Sequence, residues 1–445
     1  MRFKLNRNLA EFSHEGTKTQ RKTWCLGAFV ARFQHPTWCL GFFVPRFQHP
    51  TWCLGALVAR ISVRGSVSAE RSSGRSNPTW CLGALVARIS VRGSVSAERS
   101  SGRSKPTWCL GALVAISLMV SACNNDNKVS RSFYHWKTRF APTPFEKQRL
   151  QELGVTKLYI KYFDVDFLPE SSDAMPQAKV EFAEMPEMEV IPTIFITNRT
   201  IQKVGQKDCP ALADKIYRLI FKLHPKELRP PKEIQIDCDW TQNSKEAYFS
   251  LLKRLDQRLD SSQIQLSATI RLHQLKYPKQ TGIPPVDRGA LMFYNMGDLD
   301  NPDEDNSILN VAEGARYLDN AKEYAMPLDV ALPIFAWGVL IRRGQPIRLI
   351  NNLRMESVQN LPWITSTGEN KVRVDTNHYL AGQYLYAGDE IRMEDVAPAA
   401  LSQAASLLAG ELKPETRSVV LYHLDSLTLS HYSKANLDST FTAFE

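Results

Sequence analysis

Beyond residue 145, apolar and polar residues alternate in short runs, and stretches with helical spacing separate those runs. The sharpest run spans residues 233–241. Glu233, Gln235, Asp237 and Asp239 fall on one face of a strand; Ile234, Ile236, Cys238 and Trp240 fall on the other. Residues 157–167 read as a strand that also ends in alternating carboxylates, Asp164 and Asp166. Residues 265–273 alternate again, with Gln265, Ser267, Thr269, Arg271 and His273 sharing one face. Further strands are predicted to begin near 190, 290, 328, 390 and 418, and Pro333 predicts a bulge near the end of its strand. Helices are predicted over 145–154, closed by Gly154, and over 211–223, 245–259, 306–324 and 398–410. Residues 128–144 carry aromatics without a clear period, and 342–383 are mixed.

Eight strands alternating with helices predict parallel βαβ units closed into an α/β barrel, a (β/α)8 TIM-like fold over 145–445. An open doubly wound sheet would want a glycine-rich phosphate turn after its first strand, and the sequence has none there.

The first 105 residues follow a different rule. Thr-Trp-Cys-Leu-Gly recurs from Thr23, Thr37, Thr51, Thr79 and Thr107, and residues 78–104 nearly repeat 50–76. The unit is rich in Ser, Arg and Gly and has no period that could bury a core, so disorder is expected. A duplicated coding stretch with the true start further downstream accounts for it. Charge divides the same way. Residues 1–122 hold 17 Lys+Arg against 4 Asp+Glu, while the remainder holds 38 against 42. The basic balance therefore belongs to the repeats, and no nucleic-acid partner is expected of the folded part.

Residues 106–123 read as an export signal. Arg103 and Lys105 precede an apolar run over 110–120, then Ser121, Ala122, Cys123 and a polar stretch. The run is short for a membrane span, although an uncleaved anchor is the second reading. Val-Ser-Ala-Cys resembles the lipobox of bacterial lipoproteins. That resemblance implies a lipid anchor at Cys123, a tether over 124–144, and a place in the cell envelope on an outer-membrane or periplasmic face. Export would also permit a disulfide between Cys209 and Cys238, since the helix carrying one leads into the strand carrying the other.

Polar side chains gather at the predicted C-terminal strand ends: Asp164, Asp166, Asp237, Asp239, Arg271, His273, Tyr294, Asn295, Trp337, Arg392, Glu394, His423 and Asp425. In a barrel these converge on one mouth. Acids, arginines and aromatics together suit a carbohydrate, whose rings stack on aromatic faces and whose hydroxyls bond to carboxylates. Glycoside hydrolysis needs two carboxyl groups, which points to Asp237, Asp239 and Glu394. The bland alternative pairs Asp237 and Asp239 with Arg271 and Arg392 in a structural network, and makes Trp337 plain packing. No metal or other cofactor is expected, because no His-x-x-x-His or Cys-x-x-Cys spacing occurs.

Three motifs carry a resemblance. Asp237-Cys-Asp239-Trp240 resembles the Asp-x-Asp-Trp-Glu strand end of family-18-type chitinases. Met292-Phe-Tyr294-Asn295 resembles their Met-x-Tyr-Asp motif, and Leu332-Pro333-Ile-Phe335-Ala-Trp-Gly338 their Leu-Pro-Phe-Tyr-Gly strand. The chain is also similar to an uncharacterised group of bacterial lipid-anchored barrel proteins. The resemblance implies that Asp239 orients an acetamido group and that Tyr294 contacts the reaction centre. It also exposes a departure, because Thr241 stands where the family has its catalytic Glu. Either another acid serves, with Glu394, Asp425 and Asp164 as candidates, or the protein binds glycan without cleaving it.

Overall fold

The computed structural model describes residues 129–168, 171, 173–301, 304–413 and 418–445. The repeats, the signal segment and Cys123 lie outside the described residues. Eight parallel strands close into a barrel: β1 (Ser130–His135), β2 (Lys157–Asp166), β3 (Glu189–Ile196), β4 (Glu233–Asp237), β5 (Gln265–Arg271), β6 (Arg288–Met292), β7 (Leu328–Pro333) and β8 (Ser418–Tyr422). Each pairs in parallel with its chain neighbours, and β1 closes the ring by pairing with both β8 and β2.

Two sequence expectations change. Residues 130–135, assigned above to the tether, form β1, with Phe133 and Tyr134 fully enclosed. Its sequence, Ser-Arg-Ser-Phe-Tyr-His, places three polar residues before two adjacent aromatics and so displays no period of two. Conversely, Glu390–Glu394 is not a barrel strand. It lies in a separate five-stranded antiparallel sheet inserted between β7 and β8, paired with Trp337–Arg342 on one side and Lys371–Val374 on the other. That insertion has its own apolar core around Leu340, Ile350, Leu353, Val372, Leu385 and Ile391. It accounts for the mixed pattern over 342–383.

Helices clothe the barrel where the sequence spacing demands it, except over 306–324, where only the short helix Val311–Ala315 and the turn Ala321–Glu323 form. Helix α1 (Pro144–Glu152) starts in a capping box between Thr143 and Glu146. Helix α2 (Asn198–Leu223) is capped by Thr197 and breaks at Gly205, whose φ of 72° is open to glycine, so only its second part had the predicted spacing. Helix α3 (Lys245–Leu259) buries Tyr248, Leu251, Leu252, Leu255 and Leu259 on one stripe. Helix α4 (Pro398–Glu411) precedes β8, and helix α5 (Lys434–Thr442) follows it.

The interior of the barrel is polar along one seam. β4 and β5 pair in register, Glu233 opposite Gln265 and Gln235 opposite Ser267. Ser267 Oγ donates to Glu233 Oε1 at 2.6 Å, and Thr269 Oγ1 donates to Asp237 Oδ1 at 2.7 Å. Tyr134 OH donates to Gln235 Oε1 at 2.7 Å from across the ring. These bonds offset the cost of burying amide and carboxyl groups where barrels usually place branched apolar residues.

Candidate functional site

Strand β4 delivers Asp237 and Asp239 to the mouth, and β5 delivers the groups that meet them. Asp237 is 3% exposed and takes the hydroxyl of Thr269. Asp239 lies nearer solvent and is gripped by the Arg271 guanidinium at two points, through Nε to Oδ1 and through Nη2 to Oδ2, the latter at 2.9 Å. This is the geometry that makes an Arg–carboxylate pair strong and directional. Burial pushes the Asp237 carboxyl up to about 6, and the Asp239 charge adds to the shift; Arg271 and the Thr269 hydrogen bond oppose it. Burial alone would lower Arg271, but the charges of Asp239 and Asp237 outweigh it and hold the guanidinium firmly cationic.

Strand β2 adds a second ion pair. Lys161 Nζ lies 3.0 Å from Asp164 Oδ2, both buried. Residues three apart on a regular strand face opposite ways. Here the register between β2 and β3 shifts between Lys161 and Phe163, so both side chains turn to one place. Asp166 is engaged by Arg199 at the start of α2, Nε to Oδ1 at 2.7 Å, and by Thr197 at 2.8 Å. Burial would raise its pKa, but the bonds from Arg199 and Thr197 leave it depressed.

An aromatic wall completes the mouth. Trp136 packs against Tyr134 and Tyr422 with centroids 5.8 and 5.6 Å apart. Tyr422 stacks on Tyr294 at 5.7 Å, and Phe335 meets Tyr422 edge-on at 5.6 Å. Lys161 Nζ sits 5.7 Å from the Trp136 ring centre. The Tyr294 hydroxyl is buried and has no hydrogen-bond partner among the described residues; Gln235 Nε2 is in the same condition. Such groups are satisfied by water or by a ligand.

The structure therefore gathers Asp164, Asp237, Asp239, Arg271 and Tyr294, with Trp337 adjoining them through its ring contact with Phe335 at 5.1 Å, and it places the others elsewhere. Asn295 is exposed at a φ of 54°, and His273 is exposed on the short helix Leu272–Lys276. Trp337, Arg392 and Glu394 form a distinct cluster in the insertion. Arg392 Nε donates to Glu394 Oε1 at 2.7 Å, Trp337 Nε1 donates to Oε2 at 2.9 Å, and the Ser307 amide donates to the same oxygen at 2.9 Å. With both side chains of the ion pair fully enclosed, this cluster holds the insertion to the loop after β6. Asp425 caps the helix Ser426–Leu429 and pairs with Lys137 at 2.7 Å. Burial would raise it, yet Lys137 leaves it depressed. His423 is neutral, pushed down to about 4 by burial. Cys209 and Cys238 are both buried and unbonded, which corrects the expected disulfide; burial raises both thiols.

Sequence reasoning missed Lys161 and the wall formed by Tyr134, Trp136, Tyr422 and Phe335. Tyr134 and Trp136 do alternate, but Trp136 already lies beyond the end of β1. Thr241, exposed after Trp240, offers its amide to Ser244 Oγ at 2.9 Å and brings no acid to the mouth. Among the described residues no group of three or more His, Cys, Asp or Glu is placed to hold a metal ion. A shallow cavity of about 40 Å³ between α1 and residues 184–188 contains none of the mouth residues.

No family model matches the chain, and no curated protein matches it. Among solved structures it is similar to a chitinase from Chromobacterium violaceum ATCC 12472, at 9% identity and a TM-score of 0.45, over 70% of this chain and 98% of that one. It is similar to the Bacillus cereus spore cortex-lytic enzyme SleL at 14% identity and a TM-score of 0.41, over 68% and 74%. The Ostrinia furnacalis Group IV chitinase gives 10% identity and a TM-score of 0.44, over 71% and 99%. Likeness at this level does not bear on the site or its chemistry.

Proposed function

We propose that the barrel mouth binds carbohydrate without hydrolysing it, from a position on the bacterial cell envelope tethered through Cys123. The observation that carries the non-hydrolytic reading is the fate of the surplus acids. With Thr241 in place of an acid, a proton donor must come from elsewhere, and Glu394, Asp425 and Asp164 are each held by a cation. A carboxylate whose oxygens are engaged by a cation is not free to approach a glycosidic oxygen as its proton donor. Asp237 has a suitable pKa, but it is buried and bonded to Thr269. What remains suits binding. Trp136 and Tyr422, the half-buried rings of the aromatic wall, offer faces for sugar rings, and the Asp239–Arg271 pair offers an acceptor and a donor at its open edge.

Titration calorimetry with a soluble N-acetylglucosamine hexamer tests the binding half. Wild type should bind, and Asp239→Asn should fold normally and bind at least about tenfold more weakly, since a charged acceptor is replaced by a neutral one. An unchanged affinity in a folded variant would move the site elsewhere. The tether is tested separately. Radiolabelled palmitate should enter the wild type and not Cys123→Ser in a bacterial host, and equal labelling would reject lipidation at that residue.

A further inference from the structure

The insertion carries a second surface that the mouth does not use. Its hairpin, His378–Leu380 paired with Gln383–Leu385, turns through Ala381 and Gly382, both at positive φ. One face of the hairpin is inward: Leu385 is fully buried in the insertion core and Leu380 packs against it. The other face is aromatic. Tyr379 and Tyr384 are cross-strand partners with ring centroids 4.9 Å apart, and Tyr386 continues the row 5.0 Å from Tyr384. Their exposures are 70%, 40% and 48%. Solvent-facing strand positions normally carry small polar or charged side chains, and three adjacent tyrosines there are a departure from that pattern.

The row is anchored at its Tyr386 end. Arg342 lies 4.3 Å from the Tyr386 ring centre and is fixed by two bonds of 2.7 Å to Asp389. Asp389 also accepts the Tyr386 amide at 2.8 Å, and Asn377 Oδ1 accepts the Ala387 amide at 2.8 Å. Rigid tyrosines give large amphipathic contact area at low entropic cost. Among the described residues the cation seen over the row is Arg342, and it is neutralised by Asp389. That argues against a phosphate-bearing polymer or an anionic lipid surface, each of which needs unpaired cations. Uncharged rings with outward hydroxyls match the alternating apolar faces and hydroxyl edges of a neutral polysaccharide.

We propose that Tyr379, Tyr384 and Tyr386 form a second carbohydrate contact, taking successive sugar rings of a neutral, extended polysaccharide. The choice of carbohydrate rests on the reading given for the mouth. The contact lies at the end of the sheet away from the barrel, because Arg342 and Glu390 are at the opposite end of their strands from Trp337 and Glu394.

The test uses the full chain and two probes: colloidal chitin, an insoluble neutral polymer, and the soluble N-acetylglucosamine hexamer. Tyr379→Ser with Tyr384→Ser changes exposed rings only, and circular dichroism should confirm its fold. We expect retention on the polymer to fall about tenfold in this double variant while hexamer affinity stays at the wild-type value. Asp239→Asn should show the reverse, losing the hexamer and keeping part of its polymer retention. Undiminished polymer retention in the tyrosine variant, or no retention of wild type, overturns the hairpin contact whatever the hexamer does. Loss of polymer retention in a chain that never binds the hexamer overturns the mouth reading and leaves the hairpin standing. Wild-type binding to phosphatidylglycerol vesicles that the tyrosine substitutions abolish, with chitin retention unaffected, would replace the polysaccharide with a lipid surface.

Discussion

Asp237 and Asp239 are two residues apart on one strand face, and their environments drive them apart. Asp239 is gripped at two points by Arg271, while Asp237, buried and beside that carboxylate, is pushed up to about 6 from an ordinary 3.8. A carboxyl whose folded-state pKa is raised binds more protons folded than unfolded between those two values. Its ionisation therefore costs stability progressively as pH rises from about 4 through 6. Asp237→Asn removes that term. Denaturant unfolding should show the variant gaining on the wild type as pH rises from 4 to 7, and parallel curves would mean that Asp237 titrates normally. Arg271→Met should raise the Asp237 pKa above about 6, read by carboxyl carbon NMR, because the opposing cation is gone. Parity already set the acids of β4 against the same-face polar residues of the next strand, and Ser267, Thr269 and Arg271 do bond to Glu233, Asp237 and Asp239. The ion pair of Lys161 with Asp164 was out of reach, because it depends on a bulge that a period of two does not reveal.

At the scale of elements, pattern alone recovered seven of the barrel strands and substituted one false strand for a true one. Glu390–Glu394 has alternation as good as any barrel strand, since an antiparallel insertion with its own core obeys the same period. Strand β1 was hidden because its sequence, Ser-Arg-Ser-Phe-Tyr-His, does not alternate. The misassignment also drew Glu394 into the catalytic set. Its bonds to Arg392, Ser307 and Trp337 make it a fastening between the insertion and the barrel loop. Glu394→Ala leaves an enclosed guanidinium without its carboxylate and should cost about 3–5 kcal/mol. Thermal melting should show it strongly destabilised, and a stable variant with altered ligand binding alone would return Glu394 to the site.

For the whole molecule, the barrel interior combines apolar layers with a polar seam from Glu233 to Asp239. Burial raises Glu233 as well as Asp237, so the seam is a place where hydrogen bonds must offset desolvation. The fold was legible because eight βα units impose their periods over hundreds of residues. The mouth was only half legible, because an aromatic wall arises from rings on β1, β6, β8 and the segment after β7 that no local pattern connects. A chain beginning at Asn124 should melt within a few degrees of the full-length protein, and a large loss on truncation would give the repeats a structural role. The most direct test of the central claim is prolonged incubation of purified protein with the N-acetylglucosamine hexamer, followed by mass spectrometry of the sugar. The account predicts a hexamer that is bound and recovered intact. Shorter oligomers released by wild type but not by Asp237→Asn would contradict it and make the mouth an active site.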